Sequence, residues 1–600
     1  MPQAIVVGLF GQAFAATFAG SLVTSAIGLG LSMGLQFVTN ELFGPKQQKP
    51  EDLQGLFRQS VGPRSRLYGR MKVGGYVVFI ETKNGALYQL IVHGQGPITG
   101  YHETYLDNRL VALEAGYAGG ITTPPYKPLK HIIDTQFGWP GDSGWGRLNT
   151  DFPSIWSTAH KLEGLAASLL YTASVKAADV AKVYPNRIPL LQRVIDGAGC
   201  YDPRSGTSPW TRNAALILRD YLTHPDGMKI PGALIDDTKF GAAANVCDEA
   251  IAIKAGGTIP RYAIGLSYPF EEEPRSVINR IINASDGRLY FTSEGKIGYD
   301  AGKWVAPTVT ISDEAGHIIS ANLRDASGPF RETNEVIVKF THVEVGYKEA
   351  TSDPWRDEAS ISQLGEVRSN VLTAYEIQHH NHARRIAKIV QKRASPRWQG
   401  SVVTNLYGLN AWDQRWIRLV LPDYDIDGTF EVIGPPSLDT ETMTVTLQVA
   451  SFESSTYAFN PVTEEGVGPT VPEELEEETI PGPTGVVTSA VQKKLSEVEV
   501  NNTIFDPGTG ENTNDTETKD IVVYVARIKW DAPPRDGLDA VAEYSVDGID
   551  WDGLAIAKDG KQAETPAMPR PSTVRLRVAF RTVGGAMSDW VNGADVSIPS

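Results

Sequence analysis

Residues 196–222 read DGAGCYDPRSGTSPWTRNAALILRDYL, a turn followed by a capped helix. Tyr201-Asp202-Pro203-Arg204 makes the turn, because proline presets its own φ and aspartate bonds nearby backbone N–H groups. Asn213 then offers a side-chain oxygen to the unpaired N–H groups of a helix start. The helix runs to about Leu222, and Ala215, Leu218, Tyr221 and Leu222 form one apolar stripe. A stripe of that kind must be buried against something larger.

Strand signals lie on both sides of this helix. Upstream, Tyr76-Val77-Val78-Phe79-Ile80 and Leu87-Tyr88-Gln89-Leu90-Ile91-Val92 flank Lys83-Asn84-Gly85, a hairpin turn. A loop-rich part around Trp139 follows, and Trp156 to Tyr171 carries apolar residues near helical spacing, which predicts a helix there. Downstream, Pro274 suits a first helical position, and Val277, Ile278, Ile281 and Ile282 make that helix amphipathic. It leads into a hairpin of Arg288–Phe291 and Lys296–Tyr299, turned at Glu294-Gly295. From Asn334 the pattern is mostly strand, interrupted by a basic helix from about Ala374 to Arg393. Phe430–Ile433 and Met443–Val449 read as a closing hairpin. No repeat of roughly 20–50 residues is visible, which excludes solenoids and propellers.

The segment 196–222 closely resembles the "Y-D-P-R … W … N-x-A … D-x-L-T" stretch of the central tail-tip proteins of lambda-like siphophages. Four further stations follow that family's pattern. Trp156 to Gly164 (WSTAHKLEG) resembles its "W-x-x-x-H-x-L-x-G", and Pro274 to Tyr299 its helix-plus-hairpin element. Arg331-Glu332-Thr333-Asn334-Glu335-Val336 resembles its "R-x-x-N-x-V" strand, and His382 to Ala387 its "A-x-R-I-A" helix. The resemblance covers about Gly62 to Phe452. It implies a trimeric hub with two β-barrel domains flanking smaller α/β modules, three chains making a six-barrel ring around a channel.

Composition fits such a particle component. Six hundred residues with 41% hydrophobic and 21% charged side chains make a multidomain folded chain. The formal charge of −16 excludes a protein that grips phosphates, and suits a wall past which DNA slides. Two cysteines, Cys200 and Cys247, exclude a disulfide scaffold and a cysteine-rich zinc site; they read as small core residues.

The ends differ in character. Ala4 to Asn40 contains no charged side chain. Small residues recur four apart at Ala16, Gly20, Thr24 and Gly28, and at Ala26, Gly30 and Gly34, a spacing that lets helices approach closely. Such a run is shielded in an oligomer on the hub's axis or anchored in a membrane, and we favour the first. About Val462 to Pro483 is an acidic, proline-bounded linker with Glu473, Glu474 and Glu476 to Glu478. Beyond it the chain resembles a fibronectin type III domain, with strands at Val523–Trp530, Glu543–Trp551 and Val574–Phe580 and a Gly584-Gly585-Ala586-Met587-Ser588-Asp589-Trp590 close. Gly482–Val487 is its first strand, and Lys493 to Asp520 reads as a long inserted loop. Leu576, Val578 and Phe580 face the core, with Arg575 and Arg577 outward.

The expected organisation is therefore a multidomain, β-rich α+β chain. It comprises an apolar segment (1–45), a first hub β-barrel domain with a loop-rich and helical insertion (46–200), and a helical domain (201–255). An α/β domain (256–325), a second hub β-barrel (326–460), the linker (461–483) and a terminal β-sandwich (484–600) complete it.

No motif calls for chemistry. Asp423-Tyr424-Asp425-Ile426-Asp427-Gly428 copies half a calcium loop, but the twelfth position is Gly434 instead of a bidentate glutamate, so it reads as a turn with solvated acids. His379, His380 and His382 lie beside Arg384 and Arg385, with Glu376 one turn earlier; the expectation is a plain surface helix, not a metal site. Gly141-Asp142-Ser143-Gly144 lacks the matched His and Asp of a serine protease and reads as a turn. Trp139 and Trp145 read as core or interface aromatics. No catalytic, cofactor or metal residue is assigned, and the chain is not expected to be an enzyme. The resemblance implies a virion protein at the tail tip. Its implied partners are two further copies of itself, a distal tail protein ring, the tape-measure protein and tip or tail-fibre proteins, with possible contact to the host envelope while DNA passes without specific binding. The alternative is a receptor- or glycan-binding protein acting through the terminal domain.

Overall fold

The computed structural model describes residues 49–57, 62–114, 118–175, 180–186, 188–326, 333–470, 480–505, 508, 512–582 and 587–600. The apolar segment, Arg331 and Glu332, the glutamates from Glu473 to Glu478, and Gly584 to Ala586 lie outside these. The chain divides into one unit of Met1–Val175 with Ile188–Pro472, and a second of Lys176–Arg187 with Glu473–Ser600.

In the first unit, a short helix (Pro50–Leu53) and a two-residue strand (Leu56–Phe57) precede β1 (Ser65–Tyr68) and β2 (Arg70–Val73), which belong to different sheets. Gly69 between them has φ 66°, and a Cβ there would lie 2.2 Å from the Ile264 carbonyl oxygen, so only glycine turns this corner. β3 (Gly75–Lys83) and β4 (Ala86–Gln95) form the expected hairpin, with Asn84 and Gly85 both at positive φ. β5 (Gly100–Leu106) and β8 (Leu191–Asp196) join β2 in a four-stranded sheet. β6 (His131–Gln136) and β7 (Leu165–Ala173) extend the hairpin into an eight-stranded sheet, β7 lying between β4 and β6.

The helix expected at Trp156 to Tyr171 is not there. β7 occupies its second half and is buried on both faces. A strand covered on both sides reads as a continuous apolar run, which periodicity alone does not separate from a buried helix.

The middle of the unit holds α1 (Ala214–Thr223), α2 (Asp237–Asp248), β9 (Leu266–Pro269), α3 (Pro274–Ser285) and the hairpin β10 (Arg288–Phe291) and β11 (Ile297–Asp300). Asn213 caps α1 as its position predicts, accepting from the N–H groups of Ala215 at 3.0 Å and Leu216 at 3.3 Å. Its Nδ2 also donates to the Ala244 carbonyl at 2.9 Å, tying the start of α1 to α2. One hydrophobic core joins α1, α2, α3, β10 and β11 to two later elements, β14 (Glu335–His342) and α4 (His380–Arg393). Cys200 and Cys247 are buried in it as free thiols.

Another sheet, seven-stranded, follows the order β12 (Thr310–Ser312), β17 (Trp416–Leu421), β18 (Ile426–Val432), β19 (Thr444–Ser451), β16 (Trp398–Thr404), β13 (Ile318–Asp325), with the short strand Ser437–Asp439 pairing with β19 off this path. β15 (Ser369–Thr373) instead pairs in parallel with β14 in a small four-stranded sheet. The barrels implied by the resemblance are open sheets: among the described residues none closes. In the seven-stranded sheet the two ends of the path, β12 and β13, are joined by a tight turn. His317 N–H donates to the Ser312 carbonyl at 3.1 Å, and β13 then pairs with β16 from Ile318 onward, so no ladder forms across the gap.

The second unit places two sheets over a shared core that includes Leu576, Val578 and Phe580, each at most 1% exposed. β22 (Leu538–Ser545) and β23 (Ser572–Thr582) pair in one sheet; Arg575 lies exposed and Arg577 half-buried on the opposite face. The inserted loop expected at Lys493 to Asp520 is instead a hairpin. β20 (Val487–Phe505) and β21 (Asn512–Lys529) stay in register apart from a bulge between Lys494 and Ser496. The frequent Val, Thr and Ile of this stretch favour extended backbone despite its polar composition.

Candidate functional site: a buried helix and the ionic ring at its end

Five of the first six residues of α4 are polar, yet its side chains from His380 to Gln391 are buried. Ala383, Ile386, Ala387 and Val390 form the apolar stripe that enters the core. The basic residues are taken up by acceptors around the helix. Arg384 donates to the carbonyls of Asp353 at 2.8 Å and Glu464 at 2.9 Å, and lies over the Trp355 ring. Lys388 pairs with Glu464 at 2.7 Å, and Asn381 donates to Glu465 at 2.6 Å. The surface helix expected here is therefore corrected to a central one. Its charge misleads because the partners come from segments far away in sequence. The stretch after Val462 also begins packed, not solvated, since Glu465 is buried.

The three histidines point to three different partners. His379 caps the helix by accepting from Asn381 N–H at 3.1 Å. His380 Nε2 accepts from Asp353 N–H at 3.2 Å, and His382 Nε2 lies 2.7 Å from the Ala284 carbonyl. Burial pushes the His380 imidazole down to about 4 and His382 well below the usual histidine range. Glu376 is 1% exposed and gives one oxygen to Arg280 at 2.6 Å. Among the described residues no group of three His, Cys, Asp or Glu side chains is placed to hold a metal ion.

The densest polar arrangement lies at the end of α4. Asp286 follows α3 with φ 46°, and this left-handed turn directs its carboxylate inward. Arg393 Nη1 donates to it at 2.5 Å and Arg415 Nη2 at 3.2 Å, and the Tyr457 hydroxyl donates as well. Both guanidinium groups also reach Glu431, Arg393 through Nε at 2.8 Å and Arg415 through Nε at 3.1 Å. Two cations and two anions close a neutral ring joining α3, α4, β17 and β18. Burial would push the Asp286 carboxyl up, but Arg393 and Arg415 outweigh it and hold it below the usual carboxylate range. Every charge faces its opposite, so the ring locks the seven-stranded sheet to the helical core; no group in it is left free for proton or nucleophile chemistry.

The other stretches singled out in the sequence lie apart from this ring. Asp423, Asp425 and Asp427 are exposed, with Asp425 at φ 54°, and Asp427 is held in a two-point pair by Arg418 at 2.8 and 2.7 Å. Gly141 to Gly144 is a turn: both glycines have positive φ, and Asp142 accepts from Gly138 N–H at 3.1 Å. Trp145 is 2% exposed in a core cluster with Phe152, whereas Trp139 is 54% exposed. Asp286, Arg415, Glu431 and Tyr457 carried no sequence signal, since the ring spans 171 positions. Only the unusual Asp286-Gly287 after an amphipathic helix marks one corner.

No family model matches the chain, and no curated protein matches it. Among solved structures it is similar to a chain in the virion of a native gene transfer agent particle, at 13% identity and a TM-score of 0.47, over 74% of this chain and 98% of that one. The 43 kDa tail protein of prophage MuSo2 from Shewanella oneidensis aligns at 11% identity and a TM-score of 0.24, over 66% and 95% of the two chains. A tail protein from Neisseria meningitidis MC58 aligns at 10% identity and a TM-score of 0.27, over 67% and 99%. These three solved structures are described as a virion and tail proteins.

Proposed function

We propose that this chain is the structural hub at the tip of a long-tailed phage's tail. Three copies form a ring that closes the tail tube, anchors the tape-measure protein, the distal tail ring and tip or fibre proteins, and opens for DNA ejection on host contact. One observation carries this reading. Four of the five stations that resemble tail-tip proteins put side chains into the same buried core: Ala215 and Leu218, Val277 and Leu289, Val336, and Ile386. The fifth, with Trp156 and Leu162, packs against the neighbouring cluster. The shared motif is thus spent on architecture, as a scaffold protein requires. The second unit, a β-sandwich that resembles fibronectin type III, follows the hub in the chain.

The mass of the full-length chain in solution tests the proposal. A trimer by sedimentation or light scattering is expected; a monomer at all accessible concentrations overturns it.

A further inference from the structure

A small cavity lies beside α4, lined by Arg261, Tyr262, Arg385, Lys388, Thr456 and Tyr457 among others, with room for one water-sized occupant. Three of these side chains are cations, and two have their own acids. Arg261 Nε donates to Glu249 at 2.9 Å, and Lys388 pairs with Glu464 at 2.7 Å. Arg385 is different. It is 4% exposed, and its Nε and Nη2 donate to neutral oxygens, Asn381 Oδ1 at 3.0 Å and the Arg261 carbonyl at 2.7 Å. Its Nη1 is buried with no partner, and among the described residues Arg385 forms no ion pair.

A buried guanidinium with no acid bonded to it is costly, because the neutral oxygens of Asn381 and Arg261 replace only part of the lost water, and Glu465 and Glu249 act on it without pairing with it. Burial lowers the Arg385 guanidinium to about 10, which still leaves it charged at neutral pH. Water in the cavity would supply an acceptor for Nη1 but no charge. A monatomic anion supplies both, and the cavity is too small for phosphate or sulfate with its oxygens. We propose that this cavity is a halide site, occupied by chloride, in which Arg385 Nη1 is the principal donor and Lys388 and Arg261 add positive potential. The occupant would sit between α4 and the Thr456–Phe459 segment, and so hold the end of the first unit against its central helix.

Crystals of the full chain grown with bromide replacing chloride test this directly. Data at the bromine absorption edge are expected to show an anomalous peak in the cavity within hydrogen-bond reach of Arg385 Nη1. In solution, the melting temperature of the full chain should rise with chloride and not with gluconate at equal ionic strength, and Arg385→Gln should abolish the difference. A cavity without an anomalous peak overturns the proposal. So does a peak accompanied by equal melting temperatures in chloride and gluconate, which would mean binding at crystal concentration only. Both wild-type measurements decide the matter even if Arg385→Gln fails to fold.

Discussion

Arg393 donates to the Asp286 carboxylate at 2.5 Å across 107 positions of sequence, and Arg415 meets the same carboxylate from a third segment. Neither arginine is more than 12% exposed at its side chain, so each depends on this carboxylate and on Glu431 for its counter-charge.

Replacing Asp286 with Asn should therefore leave two guanidinium groups sharing one acid in a water-poor site. The expected loss is about 3–5 kcal/mol, read from urea unfolding of the full chain. Adding Arg415→Met should restore part of it, because one Arg393–Glu431 pair then remains balanced. A single-variant loss under about 1 kcal/mol would show that the ring contributes little.

Acid should destabilise the first unit well before carboxylates titrate. Burial pushes His93 down to about 3 and His380 to about 4, and His382 well below its usual range. Unfolded, these imidazoles titrate near 6.5, so between about pH 6.5 and 4 the unfolded chain binds protons that the folded chain does not. Stability is then full above that window and falls as the pH drops through it, by about 1.4 kcal/mol per pH unit for each histidine fully engaged. Asp286 acts in the same direction lower down, since its depressed carboxyl contributes stability lost only below about 3.8. Melting curves from pH 7 to 5 should show a marked decline, shallower in His382→Gln; a flat profile contradicts the prediction.

Asn213→Ala removes both cap bonds of α1 and the bond to Ala244. A loss of about 1–2 kcal/mol is expected from equilibrium unfolding, and Asn213→Asp should recover the cap share alone.

Two truncations should behave differently. Ending the chain at Pro472 retains Glu464 and Glu465, the partners of Lys388 and Asn381. Ending it at Asn460 removes both and exposes the buried Lys388 to an unpaired state. The shorter product should unfold about 2–3 kcal/mol more easily than the longer one, by denaturant midpoint.

Local chemistry was readable in the sequence where the partner lies a few residues away. Asn213 and its helix, the Asn84-Gly85 hairpin and the alternation of Leu576, Val578 and Phe580 all depend on neighbours in the chain. β7 was hidden because burial on both faces erases the period that separates strand from helix. The basic start of α4 misled for a related reason: its polar side chains bond to Asp353, Glu464 and Glu465, none of them visible as partners until the chain is folded. The ionic ring is the extreme case, because four acids and bases scattered over the chain acquire meaning only together.

That ring also constrains inheritance. Asp286 lies on the N-terminal side of the small sheet containing β14, while Arg393, Arg415 and Glu431 lie on the other. A recombination joint anywhere between residues 287 and 392 would bring one parent's carboxylate against another parent's arginines. Hybrids formed there stay folded only if both parents share the same four charges, so this seam should act as a compatibility barrier to gene mosaicism, whereas exchange at the boundary after Pro472 leaves the ring untouched.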